Sequence, residues 1–574
     1  MSNELEHTGR RRSVGPRLGI GVVAVVALIR FAYAANRTIF STFPDEPAQL
    51  AVARWLGGGV HWSMFDHNTW QPGFAVLLTP AYWFTDRPET IYRAALVLNA
   101  LLGGVAAVLL AQLALRMTPI RERQAAAIAV AVAVLPAALA ASARAWAEPL
   151  ITVVVLLALH VALSAVNETS TRHGVYGVVV AGGGYLVHGR LLWLLPFSVI
   201  LLSIVVWRQR RPTLVFAGAV GAVVVFASVE LFSTWVRRNV WTEPGRTNTV
   251  GSTLERLTRP GAVLDSVIGQ TWYLLVATAM FAGLGFWVLA RAAVGSADGR
   301  SICRRSDALV VLGLIVPMIG ISMLFMSGRG SPDQLIYGRY NEAVVWPIVA
   351  VGIAWAWLTI EADRRADVLT RFALTACGTV ALTAVVAVRF GEGLRGPGVV
   401  RLMIAGVAVL GDPGSGGFPW FVCAISVLLS ILVMLALDYG RRTPYVGLLL
   451  VGAIVLSLGV RSWTVLGRNQ NTFADNSTVR AVGDVVPEGE PLGFKFVPVD
   501  EPSLVFLPTQ QRLAQIYQMY LPDHPFSVDT GLDDDVGPYV FAPKANDALV
   551  AGGAEVVWLD ERSGMALWQE PERP

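Results

Sequence analysis

Residues 18–49 read LGIGVVAVVALIRFAYAANRTIFSTFPDEPAQ, an apolar run from Leu18 to Ala35 that gives way to the acidic pair Asp45-Glu46 set between two prolines. Crossing the roughly 30 Å hydrocarbon core of a bilayer takes about 20 apolar residues in a helix, and the run is of that order. Arg10, Arg11, Arg12 and Arg17 precede it, which imitates a secretory signal with a cleavage site near Ala32 to Ala35. Comparable runs recur as far as Val460, so the first is read as a retained helix with its basic flank in the cytoplasm.

Working outward, the composition agrees. Hydrophobic residues make up 54% of the 574 and charged residues 15%, against roughly 25% charged in soluble proteins. That supply of charge cannot cover a water-facing surface. Thirteen spans are expected: Leu18 to Ala35, Ile91 to Leu115, Gln124 to Ala141, Pro149 to Val166, Gly174 to Val187, Leu191 to Val206, Thr213 to Phe232, Thr271 to Leu289, Ala308 to Met326, Ala343 to Ile360, Val368 to Val388, Phe418 to Leu437 and Tyr445 to Val460. Pro72 to Phe84 and Val399 to Leu410 are too short to cross and are assigned to the outer interface.

The arginines set the direction. With the two short segments left out, the clusters Arg116/Arg121/Arg123, Arg208/Arg210/Arg211, Arg291/Arg300/Arg304/Arg305, Arg364/Arg365 and Arg441/Arg442 all fall on the side of the N-terminus, as the positive-inside bias requires. Counting Pro72 to Phe84 as a span would invert several of them. The same parity places residues 36–90, the turn at Arg144, residues 233–270 and 327–341, and the C-terminal tail outside. The expected organisation is a cytoplasmic tail over residues 1–17, a transmembrane domain over 18–461 with an external loop at 36–90, and an extracytoplasmic domain over 462–574, in a multi-pass plasma-membrane protein.

That last part is acidic and carries none of the three cysteines, so it holds no disulfide framework or thiolate metal site. Strand-like runs at Leu492 to Val497, Tyr539 to Ala542 and Glu555 to Leu559, with a helical stretch near Gln510 to Tyr520, indicate a small α/β domain. The basic balance of the rest is arginine between helices, with Lys495 and Lys544 the only lysines; it points to no nucleic acid. Gly182-Gly183-Gly184 lies inside a span and opens no phosphate-binding helix, so it reads as close helix packing.

Asp45 and Glu46 have a structural explanation: an acidic residue at a proline-marked helix start caps backbone N–H groups and complements the helix dipole. Their surroundings add another. The same external loop holds His61-Trp62, Asp66-His67-Asn68-Thr69-Trp70-Gln71-Pro72, then the interfacial segment, then Ile91-Tyr92-Arg93 at the mouth of the second span. An acidic pair after the first helix, an aromatic loop ending in a proline-led amphipathic helix, and an arginine at the next helix together resemble the GT-C superfamily of membrane glycosyltransferases, which includes the protein O-mannosyltransferases and the lipid A aminoarabinose transferases. The resemblance implies a GT-C-like fold and catalysis by Asp45 and Glu46. It also implies a polyprenyl-phosphate-linked sugar donor, a lipid or glycan acceptor, and a place in cell-envelope glycan assembly. Where several relatives have Lys or His before the proline, this chain has Gln71, so a phosphate contact there falls to another residue such as His67.

Other residues join the candidate site. His188 and Arg190, in Gly184-Tyr185-Leu186-Val187-His188-Gly189-Arg190, break the apolar pattern at the outer end of a span, and Tyr337, Arg339 and Tyr340 do so before the tenth. The latter resembles the Arg-Tyr element before a late helix in the superfamily. Charges at membrane depth usually face a cavity or a partner; the alternative is interfacial anchoring. Glu148, before Pro149, either caps that helix or holds acceptor hydroxyls, and Arg93 completes the set with His67.

The implied chemistry needs few groups. A polyprenyl phosphate leaves as a stabilised anion, so no general acid is required, and one carboxylate suffices to take the acceptor proton, with inversion at the anomeric carbon. Asp45 is the expected base and Arg339 the phosphate clamp. No cofactor is implied; His61, Asp66 and His67 leave a divalent metal open. The alternatives are a transporter or lipid flippase, expected to keep ionisable groups at mid-bilayer on broken helices, and a non-catalytic envelope assembly protein.

Overall fold

The computed structural model describes residues 13–40, 45–59, 71–210, 213–241, 251, 255–295, 302–328, 331–396, 399–467, 477–495, 508–529, 537–561 and 564–571. His61, Asp66 and His67 lie outside them.

All thirteen expected runs fall on helices, but they are not thirteen uniform spans. Among the described residues eight helices are long and apolar enough to cross a membrane, and up to eleven spans are present if each of three sharply bent pairs counts as one. Thr171–Val187 and Pro444–Ser462, of 17 and 19 residues, are not among these. The first span is α1 (Pro16–Ala34), followed by α2 (Asp45–Leu56), α3 (Gly73–Tyr82), α4 (Pro88–Met117), α5 (Glu122–Ala133), α6 (Pro136–Ser142), α7 (Glu148–Asn167) and α8 (Thr171–Val187).

One of the bends has a local cause. Between α5 and α6 the axis turns by 67° at Pro136, which supplies no N–H to the preceding turn. A carbonyl freed in lipid must find a partner inside the protein, and the fully buried Arg30 of α1 donates to Ala133 O from Nε and Nη2 at 3.1 and 2.8 Å. Gly103 of α4 makes room for that guanidinium: a Cβ there would stand 2.2 Å from it.

Two segments differ from the expected form. Thr271 to Leu289 is not one continuous helix: Pro260–Ala277 and Phe281–Val294 meet at 107°, with Ala279 and Met280 in left-handed conformations at φ 46° and 62°. Ser426 and Ser430 donate to the carbonyls of Val276 and Ala279 at 2.9 and 2.7 Å and so satisfy the break. Val399 to Leu410, assigned to the outer interface, forms two short turns rather than one helix, Arg401–Ile404 and Ala405–Ala408, the second of them buried, because the Met403 carbonyl and the Gly406 N–H bond to Gly338 N and the Tyr273 hydroxyl. By contrast Pro72 to Phe84 is the short helix α3, packed on α2 and α4.

The C-terminal part is an α/β unit as expected. Among the described residues five strands, β1 (Leu492–Lys495), β2 (Phe526–Asp529), β3 (Tyr539–Pro543), β4 (Glu555–Asp560) and β5 (Met565–Gln569), form one sheet in the order β2-β1-β3-β5-β4. β1 runs parallel to β2 and β3, while β5 is antiparallel to β3 and β4. Pro508–Tyr520 packs on the sheet through Tyr517, whose ring centre lies 4.6 Å from that of Phe541.

Candidate active site

Four segments far apart in the chain converge where helices begin or break. Asp45 is the first residue of α2 and Glu148 the first of α7, just ahead of Pro149. Arg190 lies in the 3-10 turn Gly189–Trp193 that follows α8. Arg339 opens the short turn Arg339–Glu342, and the chain bends by 74° between Pro332–Glu342 and Trp346–Glu361. Helix ends are where side chains and unpaired backbone groups can meet a ligand.

The Arg339 guanidinium bridges the two carboxylates. Nη1 donates to Asp45 Oδ2, and Nε donates to Glu148 Oε1 at 2.5 Å. Its planar fork suits two carboxylates at once where a lysine ammonium would serve only as a point charge. The Arg339 Cζ also sits 3.9 Å from the Trp146 ring centre. Arg190 Nη2 stands 3.9 Å from Glu148 Oε1, beyond hydrogen-bond range. The Arg190 Cζ lies 4.1 Å over the Tyr340 ring. All three Arg190 guanidinium nitrogens are buried with no hydrogen-bond partner.

Around this core the remaining predicted residues divide. Tyr337 and Tyr340 pack edge to face at 4.7 Å, and His188 meets Tyr340 edge-on at 5.9 Å. His188 Nδ1 accepts the Arg190 backbone N–H at 3.2 Å, which fixes the ring as a neutral tautomer. Withdrawal from water, then the neighbouring Arg190 and Arg339 cations, hold its pKa well below the usual histidine value, so it adds no positive charge near pH 7. Arg93 is exposed on α4 and makes no hydrogen bond or ion pair with this group among the described residues.

Glu46 lies apart from this cluster. It is fully buried, and its Oε2 accepts the Tyr92 hydroxyl at 2.7 Å and the Ala145 N–H at 2.8 Å. Successive helical residues point about 100° apart, so α2 sends Asp45 toward Arg339 and Glu46 into the protein. Glu46 thereby ties α2 to α4 and to the 143–147 turn. That turn is held again by Asn99 Nδ2, which donates to the carbonyls of Arg144 and Trp146 at 2.5 and 3.2 Å.

Sequence reasoning missed Trp146, Tyr92 and Asn99. Asn99 carried a usable signal, as a polar side chain within an apolar run. A cleft opens beside the cluster, lined by Trp146, Glu148, Arg339, Glu342, Trp346 and Arg30 among others. Among the described residues no three His, Cys, Asp or Glu side chains come together to hold a metal ion.

No protein-family model matches the chain, and no curated protein matches it. Solved structures do. ArnT from Cupriavidus metallidurans bound to undecaprenyl phosphate aligns with a TM-score of 0.57 at 15% identity, over 96% of this chain and 98% of that one. The same protein in the apo state gives 0.54 at 15% identity, over 96% and 97%. At that identity the likeness is one of fold, and it runs through the helical bundle and the C-terminal unit alike. The order of motifs from Asp45 to Asn341 is therefore carried on the fold that ArnT has.

Proposed function

We propose that the protein transfers a sugar from a polyprenyl-phosphate donor to a lipid or glycan acceptor on the extracytoplasmic side of the membrane, with inversion, in assembly of the cell envelope. The observation that carries the reading is the Arg190 guanidinium, buried with none of its three nitrogens in a hydrogen bond beside the Asp45–Arg339–Glu148 bridge. Buried donors without partners are costly, and a phosphate group supplies the acceptors this one lacks. The fold it shares with ArnT, a protein solved with undecaprenyl phosphate bound, is consistent with that donor.

The reaction is a single displacement. The acceptor hydroxyl oxygen bonds to the anomeric carbon, its proton passes to the Asp45 carboxylate, and the bond from that carbon to the phosphate oxygen breaks. The electron pair leaves with the polyprenyl phosphate, whose charge Arg190 and Arg339 hold. A phosphate against Arg190 competes with Asp45 for Arg339, which frees the carboxylate to act as base. Glu148 keeps Arg339 oriented through its Nε, and Glu46, with its hydrogen bonds already made, positions α2.

Broken helices are also a transporter trait. Here the buried mid-helix cation Arg30 is spent on the Ala133 carbonyl, and the ionisable cluster sits at helix ends, which favours transfer. Purified protein incubated with a panel of polyprenyl-phosphate sugars and envelope extract as acceptor is expected to release polyprenyl phosphate from at least one of them and to form a product of inverted anomeric configuration. Movement of intact donor across a vesicle bilayer without its cleavage would favour the flippase reading instead.

A further inference from the structure

The C-terminal α/β unit is linked to the helix that carries Asp45. Arg54, in the last turn of α2, is buried, and its Nη2 donates to the Pro522 carbonyl in the segment between Pro508–Tyr520 and β2. Asp86, at the end of the α3 loop, and Asp523 lie within charge range of it, as does Tyr82. The chain leaving α2 wraps the Arg54 stem: a Cβ on Gly59 would meet Arg54 Cγ at 2.8 Å. A second contact joins the same two parts. Arg480 pairs with Glu89 in the first turn of α4, and its Cζ lies 5.9 Å over Tyr520.

These contacts fall on α2 and α4, the two helices that Glu46 and Tyr92 already tie together. α2 is buried from Glu46 to Arg54. It is held at its first turn by Glu46 and at its last by Arg54, about 12 Å apart along the axis. A helix anchored at both ends cannot slide or tilt, and a displacement of about 1 Å at a reacting group costs on the order of 10²-fold in rate.

We propose that Arg54 is a positioning residue, through which the C-terminal unit holds α2 and so keeps Asp45 in line with the reacting carbon. The proposal rests on the reading of Asp45 as the base. The unit is then a brace for the catalytic helix, and Arg54 touches neither donor nor acceptor.

The test uses the full-length protein with Arg54→Met, which keeps the unbranched stem and removes the donor groups, and Arg54→Lys, which restores one charged donor. Spin labels at Thr90→Cys and Ala548→Cys, both exposed, in a Cys377→Ser background, report the distance from α4 to the C-terminal unit. In Arg54→Met the distance distribution is expected to broaden and kcat to fall about 10- to 100-fold with the donor KM unchanged; Arg54→Lys is expected to recover part of both. An unchanged kcat, or a distance distribution as narrow as wild type, would overturn the brace. Absence of transfer by the wild-type protein would instead count against the enzymatic reading, and the distance measurement would still decide whether Arg54 holds the unit in place.

Discussion

Asp45→Asn is expected to lower transfer from a polyprenyl-phosphate sugar by about 10²- to 10⁴-fold, the range attached to a positioned general base. The amide is the same shape and can still accept from Arg339 Nη1, so the convergence of α2, α7 and the Arg339 turn is retained. What it cannot do is take the acceptor proton. Because a neutral amide competes less well than a carboxylate for Arg339, donor binding is expected to hold or tighten. The signature is a collapse of kcat with a donor KM equal to or below that of wild type. Glu46→Gln makes the discriminating control. Its side chain faces Tyr92 and Ala145, and loss of its charge weakens two hydrogen bonds without touching the reacting groups, so transfer is expected to stay within about tenfold, some 1.4 kcal/mol. Equal losses in the two variants would mean that the acidic pair acts as one structural unit and that Asp45 has no separate role.

The second large effect belongs to Arg339. Its guanidinium is 11% exposed and bridges carboxylates that are 16% and 5% exposed. Arg339→Ala leaves Asp45 and Glu148 facing one cavity with the bridging cation gone. Removing one partner of a buried ion pair typically costs about 3–5 kcal/mol, so a large fall in thermal stability is expected together with loss of transfer. Two further variants separate the causes. Arg339→Lys restores a charge but not the fork that reaches both carboxylates, so it should regain stability more than activity. Glu148→Gln added to Arg339→Ala removes one of the opposed charges and should recover part of the stability with no recovery of transfer. If Arg339→Lys were fully active, bidentate geometry would not matter and the clamp would have to be sought elsewhere.

Much of this site could be read from sequence because its members stand at marked helix ends. Pro47 and Pro149 flag the starts of α2 and α7, and arginine parity puts Asp45, Glu148, Arg190 and Arg339 on one side of the membrane before any contact is known. Parity says nothing about which way a side chain points. Asp45 and Glu46 look like a pair as letters, yet adjacent positions on a helix cannot share a face. Arg93 follows the buried Tyr92 and is turned outward for the same reason.

The broken helices were hidden for a different reason. The bend at Ala279 and Met280 carries neither Gly nor Pro; it is stabilised from another helix by Ser426 and Ser430, which no local signal reveals. An apolar segment such as Val399 to Leu410 has the same composition whether it faces lipid or protein, so its burial against Tyr273 and Gly338 could only come from the fold. β5 escaped because Met565–Gln569 holds no β-branched residue, and β2 because its four residues end on Asp529, a residue depleted in strands.

The central claim is that Arg190 and Arg339 hold the phosphate of a polyprenyl-phosphate lipid next to Asp45. Photo-crosslinking with a polyprenyl phosphate that carries a diazirine close to the phosphate, mapped by mass spectrometry on the purified full-length protein, tests it most directly. The account predicts adducts in the 185–193 and 337–342 segments, lost in Arg190→Ala and competed by unlabelled polyprenyl phosphate. Adducts confined to other helices, or labelling of those two segments that survives Arg190→Ala undiminished, would contradict it.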